Sequence, residues 1–211
     1  MKKRVAIIGS GGHAGTIFDL LSDDCEYSPH CFIDLVPKVS FKLGIPVRAE
    51  VELIHNHLDY QPLSLVMGCG SINGSSTLCR AEIFCRFQKR NWNFISVIAS
   101  DSTIVKSAKV GEGAFIGHRA LVNSNAELGV NVLINSGAIV EHDVIIDDHT
   151  HISTGVIVNG GVSIGKSVFV GSGAIIFPGI SIGDGAVIGA GSVVRQDVSP
   201  HSRVVIGEFS K

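Results

Sequence analysis

The chain has 211 residues, 45% apolar, 6% aromatic and 17% charged, with 17 Lys plus Arg against 19 Asp plus Glu. That suits one ordinary domain or two small ones with a real core, and it excludes a disordered chain. Near-neutral charge argues against a nucleic-acid partner, which asks for a basic face.

At the start, Val5–Ile8 behind Lys2-Lys3-Arg4 is too short an apolar run for a signal peptide. No stretch approaches the roughly 20 apolar residues that span a bilayer. Five cysteines (Cys25, Cys31, Cys69, Cys79, Cys85) are odd in number and form no Cys-x-x-Cys pair. They read as ordinary thiols in a reducing compartment rather than as a disulfide framework or a zinc site. A cytoplasmic protein without a membrane span is expected.

Arg4–Ile8 reads as a short buried strand, followed by Gly9-Ser10-Gly11-Gly12-His13-Ala14-Gly15 and a helical pattern through Ile17, Phe18, Leu20 and Leu21. A second strand, His30–Ile33, ends in Asp34. A third, Leu63–Met67, precedes Gly68 and a glycine-containing loop, Gly70–Thr77. A helix over about Thr77–Gln88 and a last strand, Asn93–Val97, complete residues 1–97 as a small Rossmann-like α/β unit. Gly9-x-Gly11-x-x-Ala14 between strand and helix, with Asp34 downstream, matches a dinucleotide fingerprint. Its glycines let backbone N–H groups approach a phosphate at a helix N-terminus. A unit this small leaves little room for a whole dinucleotide and a substrate, so a nucleotide-linked ligand is favoured over NAD, with a purely structural turn as the alternative. His13 is a ligand contact or a solvated loop residue.

Beyond residue 97 the pattern changes. Of the 25 glycines, 16 lie between Ser102 and Asp197. Cut into sixes from Ser102, sixteen consecutive hexads carry Ile, Val or Leu at the third position, from Ile104 through Val140 to Val194. A period of six fits neither helix nor long strand; it fits a parallel β-helix in which three hexads close one coil. Residues 18 apart then stack at a strand spacing of roughly 4.8 Å. Seven glycines and three asparagines directly follow the inward aliphatic, residue types that tolerate left-handed or strained backbone at a corner.

The hexads resemble the left-handed β-helix acyltransferases, and the left hand is implied by that resemblance. The pairing of the two parts, with Gly9-Ser10-Gly11-Gly12-His13 and Asn135-Ser136-Gly137-Ala138-Ile139-Val140-Glu141-His142-Asp143, is similar to the sugar acetyltransferases that N-acetylate nucleotide-linked 4-amino-6-deoxy sugars. The sialic acid O-acetyltransferases share that layout. The resemblance implies an acetyl-CoA-dependent enzyme of surface glycan synthesis. It implies a homotrimer with sites between subunits, a nucleotide-sugar domain over 1–97, and a β-helix with a C-terminal tail over 98–211. It maps nucleotide-sugar binding onto Gly11, Gly12, His13, Asp34 and, more loosely, Gly68. Three segments depart from relatives: Val97–Asp101, Gly70–Thr77 and the ending Gly207–Lys211.

Acetyl transfer needs a base for the acceptor's proton, a group to hold that base, and donors for the oxyanion. The repeat contains His118, His142, His149 and His151. His142 lies at a corner between Glu141 and Asp143, where a carboxylate can fix its tautomer and raise its basicity; a solvated polar corner is the plainer reading. The resemblance makes His142 the general base and Asp143 its supporting carboxylate. His151, nine residues on, should leave the coil from the opposite side, and the resemblance assigns it to acetyl-CoA of a shared site. Gly160, one coil above His142, is the expected oxyanion donor, and the resemblance lays the coenzyme along Ser172 and Ala190. His118 and His149 read as corner residues. No two of these histidines are a multiple of 18 apart, so a zinc site is disfavoured and no metal is expected. An O-acetyltransferase or a non-catalytic binding protein are the rival readings, and Ser124 below His142 stays open as a nucleophile.

Overall fold

The computed structural model describes residues 2–55, 63–70 and 74–205. Met1–Gly70 with Phe84–Val97 cluster as one compact unit, and Ser71–Ile83 with Ile98–Lys211 as a second.

In the first unit, β1 (Lys3–Ile8) is central, with β2 (Tyr27–Asp34) and β5 (Leu63–Met67) parallel on either side. A hairpin of β3 (Phe41–Lys42) and β4 (Ile45–Ala49) extends the sheet beyond β2, giving the order β3-β4-β2-β1-β5. Val5–Ile8 are all buried, the pattern of a central strand in a largely parallel sheet. α1 (Gly12–Asp23) buries Ala14, Ile17 and Leu21, the 3-and-4 spacing of a one-sided helix. α2 (Glu50–His55) carries Glu50, whose carboxylate meets Arg86 of α3 (Gly74–Gln88) at 2.7 Å.

Two expectations change here. Asn93–Val97 is not a full strand: Phe94 bridges to Leu65, and only Val97–Ile98 runs into the solenoid's ladders. α3 begins at Gly74, so the expected loop Gly70–Thr77 is partly helical, and Ser71–Asn73 lie outside the described residues. The ending Gly207–Lys211 also lies outside them. Among the described residues, no helix is long and apolar enough to cross a membrane.

The second unit is a parallel β-solenoid of two-residue strands in three faces. Face one has six strands from Thr103–Ile104 to Val193–Val194. Face two has five, from Lys109–Val110 to Ser181–Ile182, and face three seven, from Val97–Ile98 to Arg203–Val204. Partners are 18 apart throughout the repeat, as in Ile139 with Leu121 and Ile157. The second residue of each strand is the third of its hexad; these aliphatics and the small first-position residues form the axial core.

The corner chemistry differs from expectation. The left-handed residue is the sixth of the hexad, not the fourth, in the fourteen hexads whose sixth residues run from Gly113 to Gly191. Gly113, Arg119, Asn125, Asn131, Gly137, Asp143 and His149 all have φ between 55° and 68°. Fourth-position glycines answer to crowding instead: a Cβ on Gly111 would lie 2.5 Å from the Gly129 carbonyl oxygen of the next coil. Backbone approach, not backbone handedness, selects glycine there.

Candidate functional site

β1 lies between β2 and β5, so the strand order reverses at its carboxyl end, where α/β sheets open a crevice for ligands. The Gly9–His13 turn sits there. Gly9 has φ +101° and donates its N–H to the Ile33 carbonyl at 2.6 Å. A Cβ on Gly9 would lie 2.6 Å from the Cys69 Sγ, so the turn admits only glycine. Gly11 caps α1 without a side chain, and a Cβ on Gly11 or Gly12 would meet nothing within 4 Å. The helix N-terminus thus opens onto free space, suited to an anion.

Asp34 closes β2 beside this turn and accepts a hydrogen bond from Ser10 Oγ. Lys42 Nζ donates to the carbonyls of Ser10 and, at 2.8 Å, Gly11. Ser10 and Lys42 escaped the sequence reading; Lys42 is separated from the turn by some thirty residues and follows no motif. Gly68 has a packing reason: a Cβ there would lie 2.5 Å from Ile7 Cγ2. His13 is half-buried next to Gly70. Beyond Asp34, Val39, Phe41, Arg48 and Glu52 line a cavity of about 480 Å³, with Leu35 and Val36 exposed nearby in sequence.

On the solenoid, His142 stands at the corner between faces one and two. Its Nδ1 is 2.8 Å from Asp143 Oδ2, and both side chains are over half exposed. Asn125, one coil below, donates to Asp143 Oδ1 at 3.1 Å. The hydrogen bond from His142, then that from Asn125, holds the Asp143 carboxyl below the usual carboxylate range. Glu141 turns instead to Asn123, whose amide donates to it at 2.8 Å. Asn123 and Asn125 were missed, although a spacing of 18 from Glu141 and Asp143 signals both.

Gly160 lies directly over the imidazole: a Cβ there would come within 2.6 Å of His142 Cε1 and 2.7 Å of Nε2. Gly161 N–H ties this coil to the His142 carbonyl at 3.0 Å. The corner is therefore a chain, Asn125–Asp143–His142, beneath a glycine. With Nδ1 engaged, Nε2 is left to act on a substrate.

The other expected residues lie elsewhere on the chain. Ser172 and Ala190 stack at the corner between faces three and one, below and above the bond from Gly191 N–H to the Ser172 carbonyl. His151 sits in a face-three strand, 4% exposed, edge-on to Phe169 at 5.2 Å. One chain does not bring His142 together with His151, Ser172 or Ala190. His149 occupies the corner between faces two and three, 3.0 Å from Asn131. Face two bears a groove of about 410 Å³ over its upper coils, lined by Ser163, Ser181, Asp197 and Pro200. No cluster of three or more metal-ligating side chains occurs among the described residues.

Comparisons with known proteins agree on both parts. Residues 4–84 match the PglD N-terminal domain, and 161–196 match the hexapeptide repeat of succinyl-transferase. No curated protein matches the sequence. Among solved structures, a histidine-to-asparagine variant of perosamine N-acetyltransferase from Caulobacter crescentus, in complex with CoA and GDP-perosamine, is 28% identical. It covers 98% of this chain and 96% of its own, with a TM-score of 0.87. The acetyltransferase domain of PglB from Neisseria gonorrhoeae in complex with acetyl coenzyme A is 26% identical over 94% of each chain, TM-score 0.82. WeeI from Acinetobacter baumannii shares the fold at 21% identity over 97% of each chain, TM-score 0.85.

Proposed function

We propose that this chain, a hexapeptide-repeat sugar acetyltransferase with a PglD-type N-terminal domain, transfers acetyl from acetyl-CoA to the amine of a nucleotide-linked amino sugar for surface glycan synthesis. The observation that carries the reading is the Asn125–Asp143–His142 chain under Gly160. Asp143 fixes the imidazole with its Nδ1 proton toward the carboxylate, so Nε2 is the basic face. The acceptor amine attacks the thioester carbonyl while His142 Nε2 takes its proton. The Gly160 N–H meets the oxyanion, and collapse expels the coenzyme thiolate, which takes up the proton. A positioned base of this kind contributes about 10²–10⁴ in rate.

The nucleotide end of the acceptor is assigned to the turn on β1, with the diphosphate at Gly11 and Gly12, Asp34 on a hydroxyl, and His13 beside them. The Caulobacter relative, solved with GDP-perosamine and CoA, supports a nucleotide-sugar acceptor and this coenzyme.

The oligomer in this reading is a homotrimer. Face one presents an outward ladder of Leu121, Ile139, Ile157, Ile175 and Val193, paired in register and only partly covered. Face two offers Lys109, Glu127, Ile145, Ser163 and Ser181 at the same positions. Three copies that turn face one toward a common axis bury the aliphatic ladder. They also set the His142 corner of one copy against the Ser172 and Ala190 corner of the next. The coenzyme then lies between copies, along Ser172, Ala190 and the face-two groove, which accounts for its residues being distant from His142 within one chain.

The test is thiol release from acetyl-CoA with GDP-, UDP- and dTDP-linked 4-amino sugars and sialic acid, with the mass in solution measured alongside. Release with one amino sugar, lost in His142→Ala, is expected. Release only with sialic acid moves the acceptor to a hydroxyl, and none at all returns the protein to a binding role.

A further inference from the structure

A second exposed histidine–carboxylate pair stands on the solenoid, outside the site described above. His118 Nδ1 is 2.8 Å from Asp101 Oδ1, with the two side chains 49% and 47% exposed. Asp101 is held below the ordinary carboxylate range by the hydrogen bond from His118 first, helped by the backbone N–H of Arg119. Fixing both carboxylate and ring at the surface costs side-chain freedom, which a solvated corner does not need.

Its place gives the pair a partner. The chain of backbone bonds from Gly137 to His118, Gly155 to Ser136, Gly173 to Thr154 and Gly191 to Ser172 makes one vertical column at the corner between faces three and one. His118 is the foot of the column whose upper members are Ser172 and Ala190. In the side-by-side arrangement proposed above, on which this inference rests, that column faces the His142 corner of the neighbouring copy. At 18 residues per coil, Ser172 lies higher than His142, whereas His118 lies lower by a coil and a third, roughly 6 Å. The coenzyme occupies the upper side of the base, so the acceptor's ring must occupy the lower.

We infer that His118, oriented by Asp101, binds the acceptor sugar in the site whose base is the neighbouring copy's His142, accepting a hydrogen bond from a ring hydroxyl at Nε2. A carboxylate on Nδ1 holds the proton there and leaves Nε2 as an acceptor, the polarity that a hydroxyl donor requires. The one chain thus supplies two histidine–aspartate pairs to two different sites, base in one and sugar anchor in the next.

Kinetics of His118→Ala with both substrates test this. The acceptor KM should rise by about 10-fold with the acetyl-CoA KM and melting temperature unchanged, the split expected when one hydroxyl contact is lost. A pair that merely ties the first coils together would move the melting temperature and leave the two KM values alone. Should alanine loosen that coil, His118→Asn keeps an amide for Asp101, removes only the far ring nitrogen, and should show the same split.

Mixing His118→Ala and His142→Ala chains then decides whose site is served. At subsaturating acceptor, random assembly pairs an intact His142 with an intact neighbouring His118 at one interface in four, so about a quarter of wild-type activity should return. If both residues act within one chain, only about a twentieth returns, and the inference is overturned. An acceptor KM within twofold of normal in His118→Ala overturns it too, leaving His142 in place. Normal turnover in His142→Ala would instead remove the reading beneath it.

Discussion

Gly160→Ala separates the fold from the reaction more sharply than removal of His142 itself. Gly160 has an ordinary negative φ, so alanine fits its backbone and should stabilise the chain by about 0.4–1 kcal/mol through the unfolded state. The new methyl, however, would sit 2.6–2.7 Å from two ring atoms of His142, about 1 Å inside normal contact. The obstacle is the end of a side chain that is 60% exposed, so the ring swings away at an off-rotamer cost of about 0.5–1.5 kcal/mol. The two terms nearly cancel, and the melting temperature should move by only a few degrees. Catalysis should not survive so lightly, because a reacting group displaced by about 1 Å loses roughly 100-fold. Differential scanning fluorimetry and kcat/KM on the same preparation give the answer. A folded variant with near-wild-type kcat/KM would refute the claim that this seat fixes the base.

Three further outcomes follow from other contacts. Asp143→Gly relieves a left-handed aspartate and deletes the imidazole's partner, so it should melt no lower than wild type while kcat/KM drops about 10- to 1,000-fold; parallel losses of both would count against it. Lys42→Ala frees the Ser10 and Gly11 carbonyls, and KM for the nucleotide sugar should rise about 10-fold or more with the acetyl-CoA KM constant; equal rises in both would contradict the turn's assignment. His149 titrates below its usual value, chiefly through burial, with Arg80 and Lys166 adding to this against the opposing Asp148. Its unfolded form therefore takes up a proton at higher pH than its folded form. The stability it contributes is complete above about pH 6.5 and is lost as the pH falls below that. His149→Asn, which tolerates the left-handed backbone, should flatten the acid limb of a melting-temperature profile, and an unchanged limb would discount the effect.

The solenoid was legible because each inward aliphatic reports its own position: 16 third-position residues read alike. The corners were legible only in part. Glycine at the fourth position looked like a demand of dihedral angle, yet Gly111 and Gly171 are small because the next coil's backbone passes within 2.5 Å of where a Cβ would stand. The sixth position hid its left-handed backbone behind Arg119, Ser167 and His149, residues whose type says little about φ. At the His142 corner, His142 and Asp143 could be read as neighbours in sequence, while Asn125 needed the coil length applied a second time. Lys42 was out of reach, since only the β3–β4 hairpin carries it to the Ser10 carbonyl.

The fixed rise per coil makes the solenoid a ruler. Every side chain at a given corner differs in height from its column neighbours by whole strand spacings, and the core pattern is the same in every coil. Eighteen residues inserted after Gly155 would keep each aliphatic in register and so be tolerated by the fold. They would also carry Ser172 and Ala190 about 4.8 Å further from His142. The hydrophobic core does not register that displacement; a substrate of fixed length would. In the proposed reading, the number of coils between His142 and Ser172 is therefore constrained by the span of coenzyme and acceptor together, while the hydrophobic interior leaves it free.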